Sequence, residues 1–555
     1  MTSLLTPLME DTVAKVRKCS GTAKISSRYT LHTFFSSSRE ARFATACAAW
    51  LLLLPGAGTA AEGWHIDPHV AVSETYTDNV NLSASGQEKS DFITTLTPGI
   101  SINGEHGRSR LRFDYNPQIL YYIHDTDLNR VNHQLSTDAR AELARNVFFV
   151  DASASVSRET VSLLGPISVS NNTVGTQNET TLRTYRVSPY FTDRLGSAAN
   201  YEIRYQRDGV SAGDDLLSNS EANKYVFNMV SGPTFNRYTW GVGLSQENVD
   251  YKNATDQESK DAHVDFNYFL TPRFALTAEE GYEKYNYLTS GEKPQGNYWS
   301  AGIFWQPSSL TSLKLSTGQH YYGHSNGLEF LHRSRAFLWR ASYSQSVNST
   351  RSNFINNQKL LTTLGAITTN PDEQKEILKQ NFPNLTAGEI NALVVSGIAN
   401  KAGVVVATPI NFLTNEIFLE KRSDASVTWY SGKTTIVFSA FRDIRNALTD
   451  GTFASILGSG ELASSKNVEQ TGANLLFDWS VAPRTSASVN IGYNDLEFRD
   501  TDTSQKLKYI RAGLRRSLTP KATGAIDVRH EQSDANGTTS SYRENAISAS
   551  INLRF

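Results

Sequence analysis

Hydrophobic and polar residues alternate one by one along much of this chain. The final stretch shows it most plainly. Asn545, Ile547, Ala549, Ile551, Leu553 and Phe555 fall on one face, and Ala546, Ser548, Ser550, Asn552 and Arg554 on the other. A period of two with one apolar face predicts a β-strand with oil on one side and water on the other. Ala262, Val264, Phe266, Tyr268 and Leu270 likewise oppose Asp261, His263, Asp265 and Asn267. Tyr201, Ile203 and Tyr205 oppose Glu202, Arg204 and Gln206, and Leu475, Phe477, Trp479 and Val481 oppose Asn474 and Asp478. The predicted strands run roughly 10–15 residues, longer than those usual in soluble sheets and long enough for a tilted membrane crossing. A soluble β-sandwich would alternate as well, so the connections have to decide.

Short turns are predicted near Arg145-Asn146, Asp193-Arg194, Asn236-Arg237, Pro272-Arg273, Pro307-Ser308, Ser431-Gly432-Lys433, Pro483-Arg484 and Pro520-Lys521. Proline presets a turn and cannot donate to a ladder, so it marks strand ends. Between these turns lie long polar stretches, such as 159–180, 209–221 and 446–467. Short turns alternating with long loops are the asymmetry of outer-membrane barrels, short on the periplasmic side and long outside. Trp240, Trp305, Trp429 and Trp479 sit near the turns, as an interfacial aromatic girdle would. The first strand, Trp64 to Tyr76, is expected to pair with the last and close the ring. Fourteen strands read before residue 347 and seven after 411, 21 in all. Single-chain barrels usually have an even number, so 20–22 is expected.

Between Val347 and Asn411 the alternation lapses. Asn370-Pro371-Asp372-Glu373 carries a cap, a proline at the first helical position and a glutamate three residues after the cap, and a helix to about Gln380 follows. Thr386 with Glu389 repeats the signal, and Ile390, Leu393 and Val394 supply an apolar stripe. Two short helices are predicted, as a plug or a periplasmic element.

Composition changes this picture little. The mean hydropathy is −0.39, and no apolar run of about 18 residues offers a spanning helix. A barrel is polar inside and in its loops, so low hydropathy is compatible with a membrane. The net charge of −2 leaves no basic footprint for nucleic acid. Arg39 and Arg42 precede an apolar run from Phe43 to Leu54, and small residues follow at Ala57 to Ala61. That is a secretory signal peptide with cleavage after Ala60 or Ala61. The polar leader before it is long, so either the leader is extended or the true start lies downstream of Met1. Both cysteines, Cys19 and Cys47, precede the cleavage point. The expected organisation is a leader and signal peptide at 1–61, the first part of an all-β, large antiparallel transmembrane barrel at 62–346, the helical insertion at 347–411, and the second part at 412–555.

The candidate chemistry is a pore wall. Arg112, Asp114, Glu202, Arg204, Asp265, Glu279, Asp478, Arg511, Asp527 and Arg529 fall on the predicted water-side face. Mixed charge of this kind lines a hydrated pore or holds a plug, without strong ion selectivity. Ile551, Leu553 and Phe555 are the candidate membrane-insertion signal. Most aromatic residues of the clear strands fall on the lipid face, so no sugar track is evident. His324-Ser325 and His124-Asp125 are the nearest approach to hydrolase chemistry. Adjacent residues on an extended chain point to opposite faces, so His324-Ser325 makes no dyad, and it lies in a stretch whose Gly and Asn suggest a loop; His124-Asp125 too lies at a strand-to-loop edge. Asp214-Asp215, or Asp125 with Asp127, have the chemistry for a surface cation, but solvated loop charge is the plainer reading. No catalytic motif and no cofactor site is expected.

The chain resembles the outer-membrane barrel proteins associated with PEP-CTERM and exosortase systems of exopolysaccharide-producing Gram-negative bacteria. The resemblance rests on VSETYTDNVNL at Val72 to Leu82, FITTLTPGISIN at Phe92 to Asn103, RLRFDYNPQILYY at Arg110 to Tyr122, the insertion near Asn370 to Leu378, and FLTNEIFLEKR at Phe412 to Arg422. It implies a non-enzymatic barrel in the cell outer membrane, working beside exopolysaccharide secretion as conduit or scaffold. Its implied partners are outer-membrane lipid and lipopolysaccharide, the barrel-assembly machinery, and exopolysaccharide or its export components. The family brings no catalytic residues with it. A general diffusion porin, and a hydrolase acting on lipid or polysaccharide, are the alternatives.

Overall fold

Every strand lies antiparallel to its neighbours in one sheet that closes on itself. The computed structural model describes residues 63–168, 175–176, 178–213, 217–252, 254–287, 289, 294–356, 409–449, 465–536 and 541–555. The leader, the signal peptide and both predicted insertion helices lie outside them, as does Asp214-Asp215.

Among the described residues, twenty-four strand segments make 22 crossings. Ser109–Tyr115 and Gln118–Tyr122 both pair with Asp91–His106, so they form one crossing, interrupted at Asn116-Pro117. Arg130–Asn132 and Leu135–Ala144 form the next in the same way. Proline has no N–H to give the ladder, which explains the break in this crossing. Closure comes from the two ends. Trp64–Thr77 pairs with Tyr542–Arg554 in a register that sets Val72 against Ile551 and Ser73 against Ser550. Cβ atoms directly opposite in such a pair lie about 4.5–5.5 Å apart. The barrel segment contains no cysteine of its own. Ser73→Cys with Ser550→Cys is therefore expected to cross-link in the folded protein under mild oxidant. A folded double variant that stays reduced would contradict this seam.

The alternation sorts as expected. Val264, Phe266, Leu475, Phe477, Ile510, Leu514, Ile547 and Ile551 are exposed on the outer face, where lipid removes them from water. Trp305 and Trp479 are exposed there too, near the short turns, and Phe235 meets Trp240 edge-on at 5.9 Å. Gly107 and Gly432 take positive φ, +57° and +47°, in two of the short turns. A side chain would strain that backbone.

Among the described residues the crossings number 22, 15 before the insertion and seven after, within the expected 20–22 and one more than the direct reading of 21. Three expectations need correction. The stretch around His324 is a strand, Gly323–Arg333, joined to Thr311–His320 by the two residues Tyr321-Tyr322. Gly and Asn suggested a loop there because the hairpin is short and its turn is built from tyrosines. Asp193 and Arg194 still belong to the strand Glu179–Leu195, and the chain reverses at Gly196, whose φ is +60°. At the insertion, the strand Phe337–Ser349 runs past residue 346 and leads straight into a short helix at 350–356. The chain is described again from 409, and the next strand is Ile417–Ser431.

Candidate functional site: the lumen

The water-side wall follows from parity. Residues paired across an antiparallel ladder share a face, so one known inward residue fixes its neighbours. On this basis Arg112, Asp114, Glu202, Arg204, Asp265, Glu279, Asp478, Arg511, Asp527 and Arg529 all face the lumen. Most are held by partners. Arg204 bridges Glu202 at 2.8 Å and Asp151 at 3.1 Å and lies 3.8 Å over the Tyr190 ring. Arg511 reaches Asp527 at 3.4 Å, and Arg529 reaches Glu544 at 2.7 Å. Ser101 donates to Asp114 at 2.5 Å. Ile551, Leu553 and Phe555 lie on the lipid side, 50%, 40% and 68% exposed to what would be hydrocarbon or its boundary.

The hydrolase candidates separate. Ser325 is paired with Gly318 on the inner face, and the neighbouring His324 faces outward. His124 contacts Asp91 at 3.1 Å, and the Asp91 carboxylate also accepts from the backbone N–H groups of Ile123, His124 and Asp125. This carboxylate caps a loop. Among the described residues no group of three or more His, Cys, Asp or Glu is arranged to hold a metal ion.

The lumen itself is divided by its own loops, a feature invisible to periodicity. At the long-loop end, the helix at 350–356 and the strap at 409–416 cross inside the ring. Arg351 is 3% exposed. Its guanidinium pairs with the fully buried Asp208 and, at 3.3 Å, with Glu247, and its Nε donates to Ser220 at 3.0 Å. Arg186 donates to the Ile355 carbonyl. Phe354, Ile355 and Leu413 form a cluster with Val161, Leu182, Val210, Ala212 and Leu217. One residue before Leu413, Phe412 joins a second cluster with Leu82, Leu163, Ile167, Phe418, Val468, Leu496, Phe498, Leu507 and Tyr542. The Gln470 side chain clamps Ile410, accepting from its N–H at 2.8 Å and donating to its carbonyl at 3.0 Å.

Val210 and Gln470 belong to Ala199–Ala212 and Asn467–Ala482, the seventh and eighteenth of 22 crossings, half the ring apart. A few residues of strap thus tie together opposite walls. The loop before Ile167 adds to the seal. Tyr542 donates to the Ile167 carbonyl at 2.5 Å and to Glu531 at 2.9 Å, and Ser168 donates to Glu531 at 2.9 Å. Each apolar side chain buried here favours closure by about 1.5–3 kcal/mol.

One strap carboxyl resists this burial. Glu416 is 4% exposed and its Oε2 has no partner. Burial pushes its pKa up, against the pull of Lys466. A raised carboxyl favours the docked strap while neutral. That stabilisation is complete below the ordinary glutamate range and is lost as pH rises through the raised value. Relative to a free thiol at the same pH, the labelling rate of a Leu413→Cys reporter is therefore expected to climb across that window, and Glu416→Gln should flatten the climb. A pH-independent relative rate in the parent would contradict the assignment.

Beyond the septum, a run of rings lines the inner wall near the outer rim. Tyr298 stacks on His320 at 4.7 Å and 12°, and His320 on Tyr322 at 4.9 Å and 7°. Tyr321 meets Tyr322 edge-on, Tyr285 packs against Tyr321 at 5.5 Å, and Tyr287 packs against Tyr285 at 6.4 Å. Gly281 makes room, since a Cβ there would lie 2.5 Å from the Tyr298 ring. Tyr298 donates to Asp261 at 2.9 Å, and His320 contacts Glu283 at 2.9 Å. Most strand aromatics do lie on the outer face, but this group of rings is turned to the lumen. The same parity that turns Glu279 and Glu283 inward turns Tyr285 inward, so that ring was within reach of the sequence. The hairpin that brings His320, Tyr321 and Tyr322 beside it was not.

A family model described as "Putative beta-barrel porin 2" matches residues 55–226, the amino-terminal part of this barrel. Among solved structures, the FrpB iron transporter from Neisseria meningitidis (F5-1 variant) is similar with a TM-score of 0.47 at 10% identity, over 89% of this chain and 83% of that one. OccK2 (OpdF) of Pseudomonas aeruginosa is similar with a TM-score of 0.32 at 7% identity, over 88% and 98%. Acinetobacter baumannii OccAB1 gives 0.33 at 10% identity, over 89% and 99%. No curated protein matches the chain. The molecule is a closed antiparallel β-barrel whose amino-terminal part matches that family model.

Proposed function

We propose that this barrel is a non-enzymatic conduit of the Gram-negative outer membrane, closed at rest, that serves exopolysaccharide export in a PEP-CTERM and exosortase setting. The septum carries the reading. A general diffusion porin needs a standing aqueous path, whereas here Arg351, Phe412 and Gln470 hold strap and helix across the ring. Barrels of this girth characteristically enclose a plugged lumen. The mixed-charge wall below the septum suits a hydrated passage for a polar polymer, and the resemblance of the Val72 to Leu82 and Phe412 to Arg422 segments supplies the polysaccharide context. Deleting the gene in its host and measuring secreted polymer tests the assignment. Polymer should fall and return on complementation; unchanged secretion would remove the export role.

A further inference from the structure

Several inward carboxylates elsewhere in the barrel are neutralised by arginine: Glu202 by Arg204, Asp424 by Arg422, Asp443 by Arg445, Asp527 by Arg511 and Glu544 by Arg529. One sector departs from this. On Gln257–Thr271 and Phe274–Asn286, Asp261 stands directly opposite Glu283, and Asp265 directly opposite Glu279. Like charges directly opposite on one face of a sheet destabilise it. No Lys or Arg faces inward from these strands or from the adjacent Gln295–Ser308. Their lysines, Lys260 and Lys284, are paired with each other on the outer face. Asp261 and Glu283 are at least held by Tyr298, His263 and His320.

This carboxylate strip runs down the wall from the aromatic run of Tyr285, Tyr298, His320, Tyr321 and Tyr322. The septum packs on other crossings. Its contacts reach Asp208, Ser220 and Glu247 on one side and Phe418 and Gln470 on the other. Among the described residues, no apolar loop cluster fills the sector between. Two kinds of recognition group therefore converge at the outer end of a sector that, among the described residues, the seal does not reach. Tyrosine rings offer apolar area, a cation-attracting face and hydroxyls. The carboxylates accept O–H and N–H donors and favour positive charge.

We propose that this wall is a saccharide subsite selective for amino-sugar units carrying a free, protonated amine. The ammonium sits against Asp265 and Glu279, relieving their repulsion, and the sugar body lies along the tyrosine run. The same carboxylates reject uronic-acid polymers. This deepens the conduit reading and rests on it for the direction of transport, but not for binding.

The test uses the full-length purified barrel and calorimetric titration with three probes: glucosamine tetramer, its N-acetylated counterpart and a tetramer of uronic acid. Glucosamine tetramer is expected to bind and the uronate not to bind. Asp265→Asn with Glu279→Gln should weaken the glucosamine tetramer about tenfold or more while leaving the acetylated one within about twofold, because only the former presents a charge. Tyr322→Ala, outside the membrane ladder, should weaken both, and Tyr322→Phe should restore most of the loss. Absent binding of the glucosamine tetramer, binding indifferent to both sets of substitutions, or equal binding of the uronate overturns the subsite. Saccharide binding with unchanged polymer secretion in the deletion strain keeps the subsite and removes the export role. Lost secretion without saccharide binding does the reverse.

Discussion

Replacing Arg351 with Met is expected to undock the helix at 350–356 and expose the strap behind it. The guanidinium is almost fully buried against a buried Asp208, with Glu247 and Ser220 completing its contacts. Removing one partner of such a pair leaves an uncompensated charge, at a cost of about 3–5 kcal/mol. Burial of Phe354, Ile355 and Leu413 contributes about 4.5–9 kcal/mol, so the substitution removes about half of what holds the helix and strap docked. The 22-strand ladder does not depend on Arg351 and should stay intact. A Leu413→Cys reporter, 2% exposed in the parent, should react slowly with an impermeant maleimide and at least about a hundredfold faster in the Arg351→Met background, since 3 kcal/mol is roughly two powers of ten. Asp208→Asn with Arg351→Met, which removes both charges, should recover part of the protection. Equal labelling in parent and variant would show that the ion pair does not hold the septum.

The second large effect is expected on the closing strand. Ile551 faces lipid beside Val72, whereas Ser550 faces the lumen beside Ser73. Arginine on the lipid face costs about 2–4 kcal/mol at mid-membrane and little on the lumen side. Ile551→Arg should therefore abolish most folded barrel in the outer membrane, and Ser550→Arg should leave its level near the parent. The fraction that keeps compact mobility on an unheated gel reports this. Identical behaviour of the two variants would mean that the face assignment of Tyr542–Arg554 is wrong. A register slip by one residue would carry Ser548, Ser550 and Asn552 into lipid, which is why the apolar odd positions specify the pairing so firmly.

These two regions differ in how far the sequence reveals them. The closing strand is legible because its signal is local: every other residue votes for a face, and partner strands vote the same way. The wall residues from Arg112 to Arg529 follow from the same vote. Turn chemistry was less legible. Pro117 interrupts a crossing that periodicity alone runs together, and Tyr321-Tyr322 makes a two-residue turn without Asn-Gly or Asp-Gly chemistry. Of the septum, only the lapse of alternation at 347–411 was legible, not the contacts that seat it. Gln470 clamps Ile410 across 60 positions, and Arg351 meets Asp208 across 143. No alternation links them, and they become neighbours only once the ring has closed.

The central claim is that the strap and helix block the outer half of a ring otherwise wide enough to conduct. Single-channel recording in planar bilayers tests it most directly, with the parent and Arg351→Met compared in the same salt. The parent is predicted to be silent or nearly so, and the variant to spend at least about tenfold more time open, as a two-state seal that loses more than 1.4 kcal/mol must. Large, steady and equal conductance in both proteins would contradict the claim.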